Sequence, residues 1–216
     1  MWRFPVMPRP LRHIVPDVAV HLRQRGNNRA DCFRRESDRL LYLLHLRELC
    51  ARLHCAVHAY CLMTNHVHLL VTPPSAEALM SLMKQLAQRY SQHFNRAYGR
   101  TGPLWDGRYR SSVAPTARYV IACYRYIELN PVDAKMVKHP GQYTWSSYRA
   151  NALGKDDGLV TSHSAYLALG LDAFAQRSAY AELVDQRMDP SLVEDIRAAT
   201  RGGYPMGSDP KLKKRV

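Results

Sequence analysis

The stretch Cys61–Val71 reads CLMTNHVHLLV and places two histidines, His66 and His68, one residue apart in an otherwise apolar run. Residues at i and i+2 of a strand share one face, so both imidazoles point the same way, while Val67 and Leu69 point the other way. We expect the apolar side of this strand to pack on helices. The two imidazoles then lie side by side on the open face of a sheet.

The patterns around this stretch predict a β-α-β-β-α-β order. Apolar and polar residues alternate in the predicted strands, whereas apolar residues recur every three or four positions in the predicted helices. Ser37 and Thr116 are expected N-caps, and Pro131 is expected to end the last helix. The strands fall in residues 12–28, 55–63, 66–72 and 108–113, and the helices in residues 37–53, 75–98 and 116–130. This order is typical of an α+β, ferredoxin-like fold with a four-stranded antiparallel sheet, here followed by one extra helix.

The composition changes near residue 150, which indicates the domain organisation. Residues 1–150 are expected to form the catalytic domain. Residues 151–200 are expected to form a small helical C-terminal extension, with short helical segments at 164–170, 171–188 and 190–200. Residues 201–216 are rich in glycine, proline and lysine, so we expect a basic, disordered tail.

The charge balance points to a nucleic acid partner. The chain has 31 Lys+Arg against 18 Asp+Glu, a formal net charge of +13. No segment approaches the roughly 18 consecutive apolar residues of a membrane span, and the N-terminus lacks the apolar core of a signal peptide. We therefore expect a cytoplasmic protein. The five cysteines form no CxxC pair, so neither a disulfide framework nor a zinc ribbon is indicated.

A second segment, RYIELNP at residues 125–131, suggests what the histidines hold. Tyr126 and Asn130 are four residues apart and share one helical face. If this helix covers the open face of the sheet, Asn130 adds an amide oxygen to His66 and His68. Two imidazoles and one amide oxygen fill half of an octahedron, which suits Mg²⁺ or Mn²⁺ better than zinc. The alternative is a pair of partly buried histidines that hydrogen-bond to nearby backbone groups.

Tyr126 is the candidate nucleophile beside this metal. A tyrosine needs activation because its ordinary pKa is about 10. Attack by tyrosine instead of water keeps the ester energy in a phosphotyrosine bond, so the chemistry suits strand transfer more than degradation. Tyr90, Tyr119 and Tyr124 are the alternative nucleophiles. Tyr119 lies about 10 Å from Tyr126 along the helix axis, too far to reach the same phosphate.

Four segments in the same order resemble the REP-associated tyrosine transposases. These bacterial proteins are related to the small single-strand insertion-sequence transposases, within the single-tyrosine HUH nucleases. The four segments are CLMTNHVHLLV, QLAQRYSQHFNRAYGRTGPLWDGRYRS, YRYIELNPVDA and YTWSSYRA, and RGNNR at residues 25–29 also matches. The resemblance covers about residues 11–153. Thr64 stands where the family usually has a proline.

The resemblance implies a ferredoxin-like fold and a divalent metal held by His66, His68 and Asn130. It places the nucleophile at Tyr126. The implied substrates are single-stranded DNA hairpins of repetitive extragenic palindromes, cut beside a short tetranucleotide and rejoined through a 5′-phosphotyrosine intermediate. It also implies a bacterial protein acting at the nucleoid.

Basic and aromatic residues are the candidates for DNA contacts. They are expected to bind phosphates or stack on bases, although arginines so common in this chain also serve simply as solvated surface residues. The candidates are Arg25, Arg89, Arg96, Trp105, Arg108 and Arg110. Two other functions stay open. One is a single-stranded DNA hairpin-binding protein without cleavage activity, and the other is a replication or conjugation initiator nuclease. Either a monomer or a homodimer is compatible with the sequence.

Overall fold

A computed structural model describes residues 13–208 of the chain. Its four strands form one antiparallel sheet in the order β2-β3-β1-β4. The strands are β1 (Val20–Arg25), β2 (Ala56–Leu62), β3 (His66–Thr72) and β4 (Arg110–Val113). The helices are α1 (Glu36–Leu53), α2 (Ala76–Ala97), α3 (Ala117–Asp133), α4 (Tyr148–Asn151), α5 (Ser164–Leu167), α6 (Ala173–Asp185) and α7 (Pro190–Gly202). This order confirms the predicted ferredoxin-like fold with an extra helix, α3.

Helices α1 and α2 pack on one face of the sheet and form the larger apolar core. The apolar residues of α2 that recur every three or four positions are all buried: Leu79, Met83, Leu86, Tyr90 and Phe94. They meet the side of β3 that carries Val67, Leu69 and Val71. Burying one such side chain stabilises the fold by about 1.5–3 kcal/mol, so the orientation of β3 is strongly determined. His66 and His68 consequently lie on the opposite face, as the alternation predicted.

Helices α3 and α7 cover the second face of the sheet. Small sheet residues, among them Ala59 and Cys61, lie in a second apolar core with Cys123 and Ile127 of α3. Helix α3 lies over β2 and β3, while α7 lies over β4 and β1. The second face is therefore divided between the extra helix and the C-terminal extension.

The first helix begins earlier than expected. Its N-cap is Arg35 rather than Ser37. The carboxylate of Asp38 accepts hydrogen bonds from the backbone N–H groups of Arg34 and Arg35, both at 2.9 Å. An acidic side chain in the first turn therefore binds the backbone N–H groups just before the helix, which fixes the N-cap of α1 two residues before Ser37.

Helix α3 also departs from its predicted end, because it continues through Pro131 to Asp133. Proline lacks the N–H that would bind the carbonyl of Ile127. The side-chain amide of Asn130 takes the place of this missing donor. Its Nδ2 lies 2.6 Å from the carbonyl oxygen of Tyr126 and 3.4 Å from that of Ile127. The proline thus remains in the helix, and Nδ2 of Asn130 becomes a donor to the backbone. The N-cap at Thr116 is as expected.

The start of the predicted disordered tail is folded. Tyr204 and Met206 are buried. Ser112 Oγ donates to the Tyr204 carbonyl at 2.6 Å, and the Met206 N–H donates to the Val113 carbonyl at 3.0 Å. The expectation of disorder is therefore wrong for residues 201–208, since they extend the packing along β4. The rest of the predicted tail, residues 209–216, lies outside the described residues, as do residues 1–12 of the expected catalytic domain.

Among residues 13–208, no helix has both the length and the apolar character that crossing a bilayer requires.

Candidate active site

The strand register gathers polar side chains on the second face of the sheet. His66 pairs with Arg25 of β1, and His68 pairs with Arg23. Arg23 also pairs with Arg110 of β4. These side chains line a cleft of about 470 Å³ that is completed by α3 and α7. A cluster of arginines and histidines therefore faces one opening.

His66 has a defined tautomer. Its Nδ1 lies 2.7 Å from Oδ1 of Asn65, whose Nδ2 donates to the Arg29 carbonyl at 3.1 Å. Because an amide oxygen only accepts, Nδ1 of His66 carries the proton and Nε2 keeps its lone pair. Burial, reinforced by the charges of Arg23 and Arg25, lowers the pKa of His66 to about 4. The imidazole is therefore neutral, the form that binds metals.

His68 is held by a neighbouring histidine. Its Nδ1 lies 2.8 Å from Nε2 of His21 on β1. The two rings stack nearly parallel, with centroids 5.1 Å apart. Burial is the main cause that lowers the pKa of His68 well below its ordinary value, and the nearby His21 and His66 lower it further. Both histidines of the HxH pair are thus neutral on one side of β3.

Tyr126 lies directly beside this pair. Its ring meets the rings of His21 and His68 edge-on, with centroids 5.7 Å apart in each case. It is only 8% exposed and packs at the edge of the second apolar core, and it also lines the cleft. The Arg197 guanidinium lies 5.8 Å from the centre of the ring. Asn130 lines the same cleft, one helical turn away.

The alternative nucleophiles are engaged elsewhere. The Tyr90 hydroxyl donates to the Cys32 carbonyl at 2.6 Å in the larger core. The Tyr124 hydroxyl accepts from the His163 N–H at 3.1 Å and is buried. The Tyr119 hydroxyl donates to Asp195 at 2.6 Å. Of the four tyrosines considered, Tyr126 is the one that lines the cleft.

The donor set fits a hard or borderline divalent ion. The described part of the chain contains no group of three His, Cys, Asp or Glu side chains suited to holding a metal. The candidate ligands His66 and His68 of β3 and Asn130 of α3 do not form such a group, because the third ligand is an amide. His66 presents a free Nε2, and Asn130, whose Nδ2 is used by the backbone, has Oδ1 as its remaining polar atom. Two neutral imidazoles and an amide oxygen suit Mg²⁺ or Mn²⁺.

Three of the arginines expected to contact DNA lie at this cleft. Arg25, Arg108 and Arg110 line it together with the histidines. Arg25 forms an ion pair with Asp106 at 2.8 Å. Burial lowers the pKa of the adjacent Arg23, a residue that was not among the expected DNA contacts. A phosphate in the cleft would offset the repulsion among these guanidiniums.

The other three candidates are not brought to the cleft. Arg89 and Arg96 belong to α2, which packs on the opposite face of the sheet. Arg89 lies 3.5 Å from Glu48 of α1. Trp105 is only 7% exposed and lies in the larger core, where its Nε1 donates to the Ala87 carbonyl at 3.4 Å. The stacking of Trp105 on bases stays a prediction, although its ring already packs against the aromatic side chains of Tyr42 and Tyr90.

Several residues of the cleft were missed. They are His21, Arg23, Arg197, Thr200 and Arg201. A signal for the first two was present, since His21 and Arg23 alternate with Val20 and Leu22 and so share a face of β1. The other three lie on α7, about 70 residues beyond Tyr126 along the chain. No local pattern connects α7 with the HxH strand.

Comparisons with known proteins agree with this architecture. The family model described as "Transposase IS200 like" matches residues 14–130, a segment that holds the HxH pair, Tyr126 and Asn130. The solved structure of a REP-associated tyrosine transposase bound to a REP hairpin matches with a TM-score of 0.54 and 18% identity, covering 74% of this chain and 96% of that chain. At this identity the likeness shows a shared fold. A search of curated proteins gave no match. Because the family model spans more than half of the chain, this protein belongs to the family of IS200-like transposases.

Proposed function

We propose that this transposase cleaves and rejoins single-stranded DNA at REP-type hairpins through a covalent bond between Tyr126 and a 5′ phosphate. The observation that carries the proposal is the position of Tyr126 in the cleft, edge-on to His68 at 5.7 Å and among arginines. Tyrosines engaged in hydrogen bonds elsewhere are poorly placed for this reaction.

The proposed reaction has two balanced steps. The Tyr126 oxygen attacks the scissile phosphorus and its phenolic proton leaves to solvent. The bond from phosphorus to the 3′ oxygen breaks, and that oxygen takes up a proton. In the second step, the 3′ hydroxyl of another DNA end attacks the phosphotyrosine, which restores the phenol and joins the two ends.

His66, His68 and Asn130 are the proposed ligands of a divalent ion, Mg²⁺ or Mn²⁺. When bound there, such an ion supplies Lewis acidity and positive charge at the scissile phosphate. The support lies in the donors themselves. Both imidazoles are neutral, that of His68 is buried and that of His66 is half-buried, and Nε2 of His66 is free because Nδ1 is engaged by Asn65.

The surrounding arginines suit a phosphodiester substrate. Arg23 and Arg110 pair across neighbouring strands, so their guanidiniums can hold adjacent phosphate oxygens. Arg197 places positive charge 5.8 Å from the centre of the Tyr126 ring, which favours the negative charge that this oxygen carries during attack. These groups orient the DNA and stabilise the transition state.

The choice of REP-type hairpins rests on the shared fold. The structure of similar fold at 18% identity is that of a REP-associated tyrosine transposase bound to a REP hairpin. Membership in a transposase family and a formal net charge of +13 agree with a DNA substrate. A chromosomal hairpin as substrate places the proposed activity in the bacterial cytoplasm, at the nucleoid.

A covalent-adduct assay tests the proposal. REP hairpin oligonucleotides with single-stranded flanks are incubated with the protein and Mn²⁺ or Mg²⁺, and adducts that survive denaturation are resolved on a gel. The wild type should form an adduct, Tyr126→Phe should form none, and EDTA should prevent it. Tyr119→Phe, on the same helix but bonded to Asp195, is the matched control and should retain the adduct.

Two outcomes would contradict the proposal. An adduct in Tyr126→Phe would place the nucleophile elsewhere. Hairpin binding by the wild type without an adduct under either metal would favour a binding protein that does not cleave DNA.

A further inference from the structure

A buried histidine outside the proposed metal set contacts that set directly. His21 lies on the central strand β1 and is 1% exposed. Its Nε2 lies 2.8 Å from Nδ1 of His68, and its Nδ1 lies 2.8 Å from Oγ1 of Thr200. Neither His21 nor Thr200 has a role in the proposed reaction. Together they form a continuous hydrogen-bonded chain from α7 to the HxH pair.

Which nitrogen donates in each of these hydrogen bonds follows from the chemistry of His68. A neutral imidazole that offers Nε2 to a metal carries its proton on Nδ1. That proton is then donated to Nε2 of His21. The one remaining ring proton of His21 lies on Nδ1 and is donated to the hydroxyl oxygen of Thr200. Thr200, the last residue of this series of hydrogen bonds, can accept the His21 proton because its hydroxyl oxygen has two lone pairs.

Thr200 is held firmly in place by its surroundings. It is 4% exposed, and its helix neighbours Ile196 and Ala199 are fully buried. The carbonyl of the following residue, Arg201, accepts from Arg110 at 3.2 Å. Helix α7 is thereby attached to β4, and the Thr200 hydroxyl is fixed beside β1. This helix lies beyond the segment matched by the family model, which ends at residue 130.

We propose that His21 and Thr200 are positioning residues that hold His68 in the tautomer with Nε2 free, so that helix α7 forms part of the metal-binding centre. The proposal rests on the proposed function, in which His68 is a metal ligand. Ligating histidines commonly donate their other ring N–H to a fixed partner, and loss of that partner typically weakens metal affinity by 10–100-fold. Here the partner is itself a histidine, whose orientation depends on a third residue 179 positions away along the chain.

The test uses the metal-free full chain and Thr200→Val, which removes the hydroxyl while nearly conserving shape. Two readouts are independent of DNA cleavage. Mn²⁺ affinity is measured from the electron paramagnetic resonance signal of free Mn²⁺, and the tautomer of His68 from its ¹⁵N ring shifts. Thr200→Val should weaken Mn²⁺ binding by about tenfold and reduce the population with the proton on Nδ1. Thr200→Ser should restore both.

Thr72→Val is a matched control on the same strand as His68. Thr72 Oγ1 lies 2.7 Å from Nε2 of His58, another buried histidine outside the cleft. This variant loses the same kind of hydrogen bond, so its melting temperature should fall comparably. Its Mn²⁺ affinity and the His68 tautomer should match the wild type. A general loss of stability would affect both variants alike.

The decisive result is the comparison between the two valine variants. Unchanged Mn²⁺ affinity and an unchanged His68 tautomer in Thr200→Val would overturn the proposal, as would equal losses in Thr72→Val. Wild-type protein that binds no Mn²⁺ would overturn it together with the metal site. An adduct persisting in Tyr126→Phe would instead refute the assigned nucleophile and leave the result of this comparison valid.

Discussion

Replacing Arg108 and Arg110 with glutamine should weaken hairpin binding in a way that depends strongly on salt. Both side chains are exposed and line the cleft beside the HxH pair. Neither forms an ion pair with an acidic side chain within residues 13–208, so both charges are available to phosphates. The substitutions reduce the number of counterions that DNA binding releases, and at Arg110 they also remove the hydrogen bond to the Arg201 carbonyl at 3.2 Å.

The size of the effect follows from counterion release. Each phosphate contact on a single strand contributes about 0.7 to the slope of log K against log salt, so the double variant should lose about 1.4. This corresponds to roughly 25-fold weaker binding at 0.1 M salt, and to only about threefold at 0.5 M. The salt slope is therefore more informative than a single affinity.

Fluorescence anisotropy with a labelled hairpin, titrated at four or more salt concentrations, measures this slope. The matched control is the double variant Arg89→Gln/Arg96→Gln, which removes the same charge from α2 on the opposite face of the sheet. It should leave the slope within about 0.3 of the wild type. A larger loss of slope in the α2 variant than in the cleft variant would refute the assignment of the DNA-binding face.

Three further predictions concern residues that support the site. Burial raises the pKa of Glu128 from 4.5 to about 7, although Ser147, Tyr180 and Asn151 donate hydrogen bonds to it. The stability that Glu128 contributes is complete below pH 4.5 and is lost as the pH rises through 7. Over this window the free energy of unfolding of the wild type, measured by chemical denaturation, should fall by about 3 kcal/mol relative to that of Glu128→Gln. A difference between the two proteins that does not change with pH would contradict the assignment. Trp105→Ala should lower the free energy of unfolding by about 3–5 kcal/mol. Trp105→Phe should bind the hairpin like the wild type. Weaker binding by Trp105→Phe at unchanged stability would show that the indole contacts DNA. Gly26→Ala should lower the melting temperature, because its Cβ would lie 2.2 Å from the Ala30 carbonyl oxygen, and an unchanged melting temperature would mean that this turn adapts without cost.

The residues of the HxH strand show what the periodicity of the sequence alone can predict. Strict alternation in β3 separates Val67 and Leu69 from His66 and His68, and the observed sheet follows that separation. The spacing of Tyr126 and Asn130 likewise places both on one face of α3, and both line the cleft. In each case the pattern is local, so backbone geometry relates the residues without knowledge of the rest of the chain.

The structure departed from the expected placement of residues where contacts with distant parts of the chain decided that placement. Trp105 and Arg108 belong to one aromatic and basic segment, yet the first is buried and the second is exposed. Their positions depend on how the loop before β4 meets α2. Pro131 was expected to end α3, but the Asn130 side chain allows the helix to continue.

The amino-acid sequence by itself determined the order of strands and helices, the face of β3 that carries the imidazoles and the helical face that Tyr126 and Asn130 share. These features depend on residues that are close along the chain. The tertiary structure alone decided that α7 completes the cleft, that His21 links Thr200 to His68, and that the arginines of α2 face away. Such contacts join residues far apart along the chain, as between His21 and Thr200. Periodicity states which side chains share a surface, but only the packing of whole elements states which surfaces meet.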